Sequence, residues 1–191
     1  MIVVADPQRA EATLAAGQLP CPHCEGVLRA WAYGRARTVR VLPDPVRPRR
    51  ALCASCGRTQ ILLPGDLLPR RADATAVVGA ALVAKAAGTG HRKIAADLHR
   101  SESTVRRWLR ASRNPAHLEW IRQRATVRQI EVDCESFTGI TPQSGPRADA
   151  LTALALAVAA IRRRFPDITA SPWALINVIT RGRLLLPAPS G

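Results

Sequence analysis

Four of the five cysteines form two pairs, Cys21-Pro22-His23-Cys24 and Cys53-Ala54-Ser55-Cys56, with 28 residues between Cys24 and Cys53. Nothing else in the chain constrains its folding as tightly. A two-residue gap lets two thiolates leave one tight turn toward the same ion, and two such turns complete the four ligands of a tetrahedral zinc. Gly26 and Gly57 follow the pairs closely, as knuckles require when the backbone must turn back with positive φ to aim amides at sulfur. A thioredoxin-like redox site would need only one such pair, opening a helix. Disulfides suit secreted chains, but the apolar run Ile2-Val3-Val4-Ala5 is short and lacks the basic lead of a signal peptide. The spacing therefore predicts one structural Zn2+ held by Cys21, Cys24, Cys53 and Cys56 in a reduced, cytoplasmic chain. His23, inside a knuckle that already has two thiols, is expected to be exposed. Cys134 is expected as an unpaired thiol in a packed position.

Around the cysteines the pattern is that of a small β unit. Val27, Ala30, Trp31 and Tyr33 predict one strand, the alternating Thr38 to Leu42 a second, and Ala51-Leu52 a third entering the second knuckle. Pro43, Pro45 and Pro48 interrupt the middle. Before the ribbon, Ile2 to Val4 reads as a strand, and Asp6-Pro7 reads as an N-cap and first helical residue. Residues 1–63 are thus an N-terminal segment and zinc ribbon, and 64–72 a proline-punctuated hinge.

From Asp73, read as an N-cap, the periodicity turns helical. Ala76, Val77, Ala80, Ala81 and Ala84 form a stripe ending before Gly88-Thr89-Gly90. A second helix runs from His91 to Leu98, and a third from about Glu102 to Ser112. Ile94, Leu98, Val105, Trp108 and Leu109 have the spacing of a three-helix helix-turn-helix over 73–113, with Ser101 as cap of the third helix. His99 stands at the turn position that favours left-handed backbone, where histidine is among the less penalised residues. With Val105, Trp108 and Leu109 inward, Ser103, Arg106, Arg107 and Arg110 are outward and Thr104 lies at the boundary. A helix of this kind fits the major groove, where Arg reads guanine bidentately and Ser or Thr reaches a base edge or phosphate. Arg92, opening the second helix, is placed to meet backbone phosphate. The expected partner is double-stranded DNA.

Charge agrees. The chain carries 28 basic and 14 acidic residues, a net +14 over 191 residues, and so basic a chain usually faces a polyanion. Counted by segment, residues 71–130 hold 12 basic and 4 acidic residues, whereas 131–191 hold 6 and 5. The field is concentrated over the helix-turn-helix. No apolar stretch is long enough to cross a bilayer, and no feature suggests a small-molecule substrate.

Residues 114–191 are expected to be helical. A pattern that weakens after Asn114-Pro115 is followed by a loop over Thr138 to Pro146, an Ala/Leu helix over Ala148–Phe165, and a short helix from Ser171-Pro172-Trp173 to near Gly182. The Ala/Leu helix is apolar nearly all round and wants burial on more than one side, either over the helix-turn-helix core or in a homodimer interface. Glu131-Val132-Asp133-Cys134-Glu135 looks superficially like a strand carrying a nuclease carboxylate. Only Asp149 and Asp167 follow it as further acids, and no run of strands supplies the sheet, so no catalytic residue is assigned. The fold class is mainly α with a small β zinc ribbon: ribbon, three-helix helix-turn-helix and helical C-terminal region.

The ribbon, followed by Ile94-Ala95-x-x-Leu98 and Ser101-x-x-Thr104-Val105-Arg106-x-Trp108-Leu109, resembles short, uncharacterised proteins of high-GC bacteria. These have a zinc ribbon, a helix-turn-helix and a helical tail, and are related to the DNA-binding N-terminal part of insertion-sequence transposases. The resemblance covers about residues 20–112 and extends more weakly through Ser171-Pro172-Trp173 and Gly182-Arg183-Leu184-Leu185. It implies sequence-directed DNA binding by a regulator or mobile-element accessory protein. The alternative is a protein- or RNA-interaction module in which ribbon and tail bind partners.

Overall fold

The computed structural model describes residues 1–137, 139 and 141–186. Its element order is β1 (Ile2–Val4), α1 (Pro7–Ala15), β2 (Leu28–Tyr33), β3 (Arg49–Cys53), β4 (Thr59–Pro64), α2 (Thr75–Ala86), α3 (His91–Asp97), α4 (Glu102–Ala111), α5 (Pro115–Asp133), α6 (Pro146–Arg164) and α7 (Pro172–Ile179). Mainly α with a small sheet is the architecture observed.

The four strands form one sheet in the order β1-β4-β3-β2. β2, β3 and β4 are antiparallel neighbours, as in a ribbon, and β1 adds to the far edge in parallel with β4. Asp6 caps α1, its carboxylate accepting from the amides of Gln8 and Arg9, so the reading of Asp6-Pro7 holds. Leu14 of α1 packs with Leu28, Ala51, Leu62, Cys21 and Cys53 into a small core beneath the knuckles.

Thr38 to Leu42 is not a strand. Arg37 and Arg40 make isolated bridges to Val46 and Asp73, and Val41 has φ 70°, which breaks an extended run. The alternation reflects a single plug: Val39 is buried with Leu63, Leu67 and Ala74, while Val41 is exposed. A strand that the sequence left unassigned, β4, closes the ribbon instead.

Residues 64–72 are packed rather than hinge-like. Leu67 and Leu68 are each 1% exposed. The buried Asn177 side chain in α7 donates from Nδ2 to the carbonyls of Gly65 (2.9 Å) and Leu67 (2.8 Å). Thr75 Oγ1 donates to the same Gly65 carbonyl. Gly65 is required there, because a Cβ would stand 2.8 Å from Ala174 of α7. α7 is thereby tied to the turn that joins ribbon to helices.

The main core is helical and draws on α2 through α7 together with Leu68, Leu184 and Leu185. α5 and α6 lie side by side with their ends matched: Arg147 reaches the Ser112 carbonyl at one end, and Arg163 pairs with Asp133 at the other. Ala150, Ala153, Leu154, Ala157, Val158, Ala160 and Ile161 of α6 are buried, so this helix covers the core within its own chain. α7 begins as read, with Ser171 capping it and Pro172 in the first turn. Cys134 is exposed, contrary to the packed position expected. Glu131 and Asp133 end a helix, not a strand. The expected loop over Thr138 to Pro146 lies partly outside the described residues, at Thr138 and Ile140.

Candidate nucleic-acid interface and metal centre

The knuckles bring four sulfurs together. The Sγ atoms of Cys21, Cys24, Cys53 and Cys56 all lie within 4.8 Å of one another. Cys21–Cys56 measures 3.8 Å and Cys24–Cys53 3.5 Å. A ZnS4 tetrahedron with Zn–S near 2.3 Å has sulfur–sulfur edges of about 3.8 Å, so the four thiols fit one zinc ion. Local backbone explains the placement. Gly57 takes φ 68° and its amide donates to the Cys53 carbonyl, while the Cys56 amide faces Cys53 Sγ at 3.5 Å. A Cβ on Gly26 would stand 2.3 Å from Ser55 Oγ and 3.2 Å from Cys53 Sγ, so glycine is needed where the knuckles approach. Without a cation among them the thiols would titrate unalike. Amides of Cys56 and Ser55 lower Cys53 to about 6. At Cys24 the Gly26 amide acts downward, but the neighbouring thiols prevail and raise it to about 12. His23 lies outside the cluster, its Nδ1 3.1 Å from Arg58 Nη1.

The helix-turn-helix is built from α2, α3 and α4. Val78, Ala81 and Leu82 of α2, Ile94 and Ala95 of α3, and Val105, Trp108 and Leu109 of α4 share one buried cluster. The α3–α4 turn passes through His99 at φ 51°. Ser101 caps α4 by accepting from the Thr104 amide at 3.3 Å. Asp73 is not the cap of α2; Ala74 occupies that position without a side-chain bond. Instead the Asp73 carboxylate, 3% exposed, receives Arg40 from the ribbon loop and Arg100 from the α3–α4 turn. Arg100, which the sequence reading passed over, therefore braces the turn from behind. An acid just before a helix and an arginine in a turn carry no sequence sign that they will meet.

On the solvent side of α4, Ser103, Arg106, Arg107 and Arg110 are exposed and Thr104 is half-buried. None of the three arginines has an ion-pair partner among the described residues. Arg92 is 83% exposed at its side chain and lies 3.7 Å from Glu102, which also faces His91. Other carboxylates are engaged elsewhere. Ser136 and Arg163 hold Asp133 below the usual carboxylate range, and Arg122 and Gln123 do the same for Glu119.

A small cysteine ribbon beside three short helices, with a bare basic face on the third, has the form of a helix-turn-helix module. Residues 76–117 match the homeodomain-like domain family, a span that begins inside α2 and ends at the start of α5. No curated protein and no solved structure matches the chain. No helix among the described residues is long and apolar enough to cross a membrane.

Proposed function

We propose that the chain is a double-stranded-DNA-binding protein, a regulator or a transposase-like accessory of a mobile element, with no catalytic domain and no small-molecule substrate. The observation that carries this is the division of α4. Val105, Trp108 and Leu109 anchor one face in the core, while Arg106, Arg107 and Arg110 stand unpaired on the other. Inserted into the major groove, that face presents guanidinium forks to guanine edges and Ser103 or Thr104 to a base or phosphate. Arg92 adds a phosphate contact beside it. One zinc on Cys21, Cys24, Cys53 and Cys56 would hold the ribbon folded and supply structure, not chemistry. A reduced cytoplasmic setting suits both thiolates and DNA.

The test is duplex binding by the zinc-loaded chain across a salt series. Roughly four to six neutralised phosphates give a log–log slope of about −4 to −5. A flat response, or equal binding after removal of residues 73–113, overturns the reading.

A second reading rests on the ribbon. Trp31 and Tyr33 are 59% and 54% exposed on β2, an edge strand of the sheet. Exposed aromatics on an open edge suit a protein partner or stacked RNA bases. Preference for structured RNA over duplex DNA, lost in Trp31→Ala, would favour that reading over the first.

A further inference from the structure

Beside α4, a concavity of about 360 Å³ is lined by Lys85 at the end of α2, Arg106 and Arg110 of α4, Arg113, and Arg147 of α6, and no carboxylate lines it. A second concavity of about 330 Å³ shares Lys85, Arg113 and Arg147 and is likewise free of acid. The two form a continuous cationic trough running from the outward face of α4 to the start of α6. Like charges gathered this way repel, and no ion pair among the described residues relieves them, whereas Arg40, Arg49, Arg100, Arg122, Arg128 and Arg163 are paired with Asp73, Glu11, Glu119, Glu131 or Asp133. Lys85, Arg106, Arg110 and Arg113 have no such partner among the described residues. Among the described residues Arg147 hydrogen-bonds to the Ser112 carbonyl, at 3.4 Å, and its Nε is shielded from solvent with no hydrogen-bond partner.

We infer that this trough holds the phosphate backbone of the DNA strand bordering the groove that α4 enters, and that Lys85, Arg113 and Arg147 are its phosphate-binding residues. The inference rests on the proposed duplex binding. It makes the C-terminal region part of the DNA-binding surface, through α6, rather than a cover for the core alone. Backbone clamping needs charge and reach, not base geometry, so these residues act alike on every sequence.

The test uses zinc-loaded full-length protein, a labelled random-sequence duplex, and the variants Lys85→Gln, Arg113→Gln, Arg147→Gln and Arg147→Lys. Thermal melts check that each is folded. Each neutralisation should make the salt slope shallower by about one and weaken binding about fivefold to tenfold at 0.1 M salt. Arg147→Lys should restore the slope. Arg128→Gln, on α5 about 20 Å from its start, should change neither quantity. Wild-type slopes in all three Gln variants overturn the clamp, and so does an equal loss in Arg128→Gln. Failure of the wild-type chain to bind duplex would instead remove the proposed function itself.

Discussion

The sulfurs of Cys21, Cys24, Cys53 and Cys56 stand within 4.8 Å of one another, a crowding of thiols that a divalent cation relieves by ionising all four. Zinc analysis should therefore give about one ion per chain. Cys53→Ser should lose the metal and unfold the ribbon, whose own core is small. A full zinc complement retained in Cys21→Ser/Cys53→Ser would contradict the assignment. At this scale the cluster of four thiols was legible because a Cys-x-x-Cys turn is a local object, complete within four residues. Asp73 was not. Its position before α2 reads as a cap, yet its partners Arg40 and Arg100 are 33 and 27 residues away, and no local pattern encodes such a pair.

Helices α4 and α7 announce themselves, each opening on a serine whose side chain accepts an amide from the first turn. α5, with 19 residues, opens as plainly, on Asn114 capping the Ala116 and His117 amides with Pro115 in the first turn. Its length is hidden, because its buried face mixes Leu118, Ile121 and Ala125 with His117 and Gln129. His117 is 2% exposed; its Nε2 lies 3.5 Å from the Leu184 carbonyl and its ring stacks on Trp120. Burial lowers its pKa from the ordinary 6.5. The unfolded chain then takes up the proton more readily than the folded one. The stability held by neutral His117 is present above about pH 6.5 and is lost as the pH falls below that toward the lowered folded-state value. The slope is at most about 1.4 kcal/mol per pH unit. Urea titrations at pH 7.5 and 5.5 should show the loss in the wild type, and a smaller one in His117→Gln. Because acid would also release a zinc ion held by the thiols, the difference between the two proteins is the quantity to read; equal losses would contradict a buried neutral imidazole.

Across the whole molecule, ribbon and helices are joined by buried and part-buried polar bonds rather than by a hinge. Asn177 holds the carbonyls of Gly65 and Leu67, and Asp73 holds Arg40 and Arg100 together. Asn177→Ala would leave the buried Leu67 carbonyl without its side-chain donor, and the Gly65 carbonyl with Thr75 Oγ1 alone, and should destabilise the chain by about 1 to 3 kcal/mol. Unfolding should remain one transition when followed by tryptophan fluorescence and by helical signal; two separated transitions in the wild type would contradict a joined core. Anchored this way, α4 presents Arg106 and Arg107 on a rigid support, as base reading demands. Binding-site selection on random duplexes, repeated with Arg106→Ala and Arg107→Ala, tests this most directly. The account predicts a preferred site, a loss of about 1 to 3 kcal/mol on it in each variant, and relaxed preference at one base position. Arg92→Ala should weaken all sequences alike. A uniform loss in the Arg106 and Arg107 variants, with the selected sequence unchanged, would contradict base reading by α4.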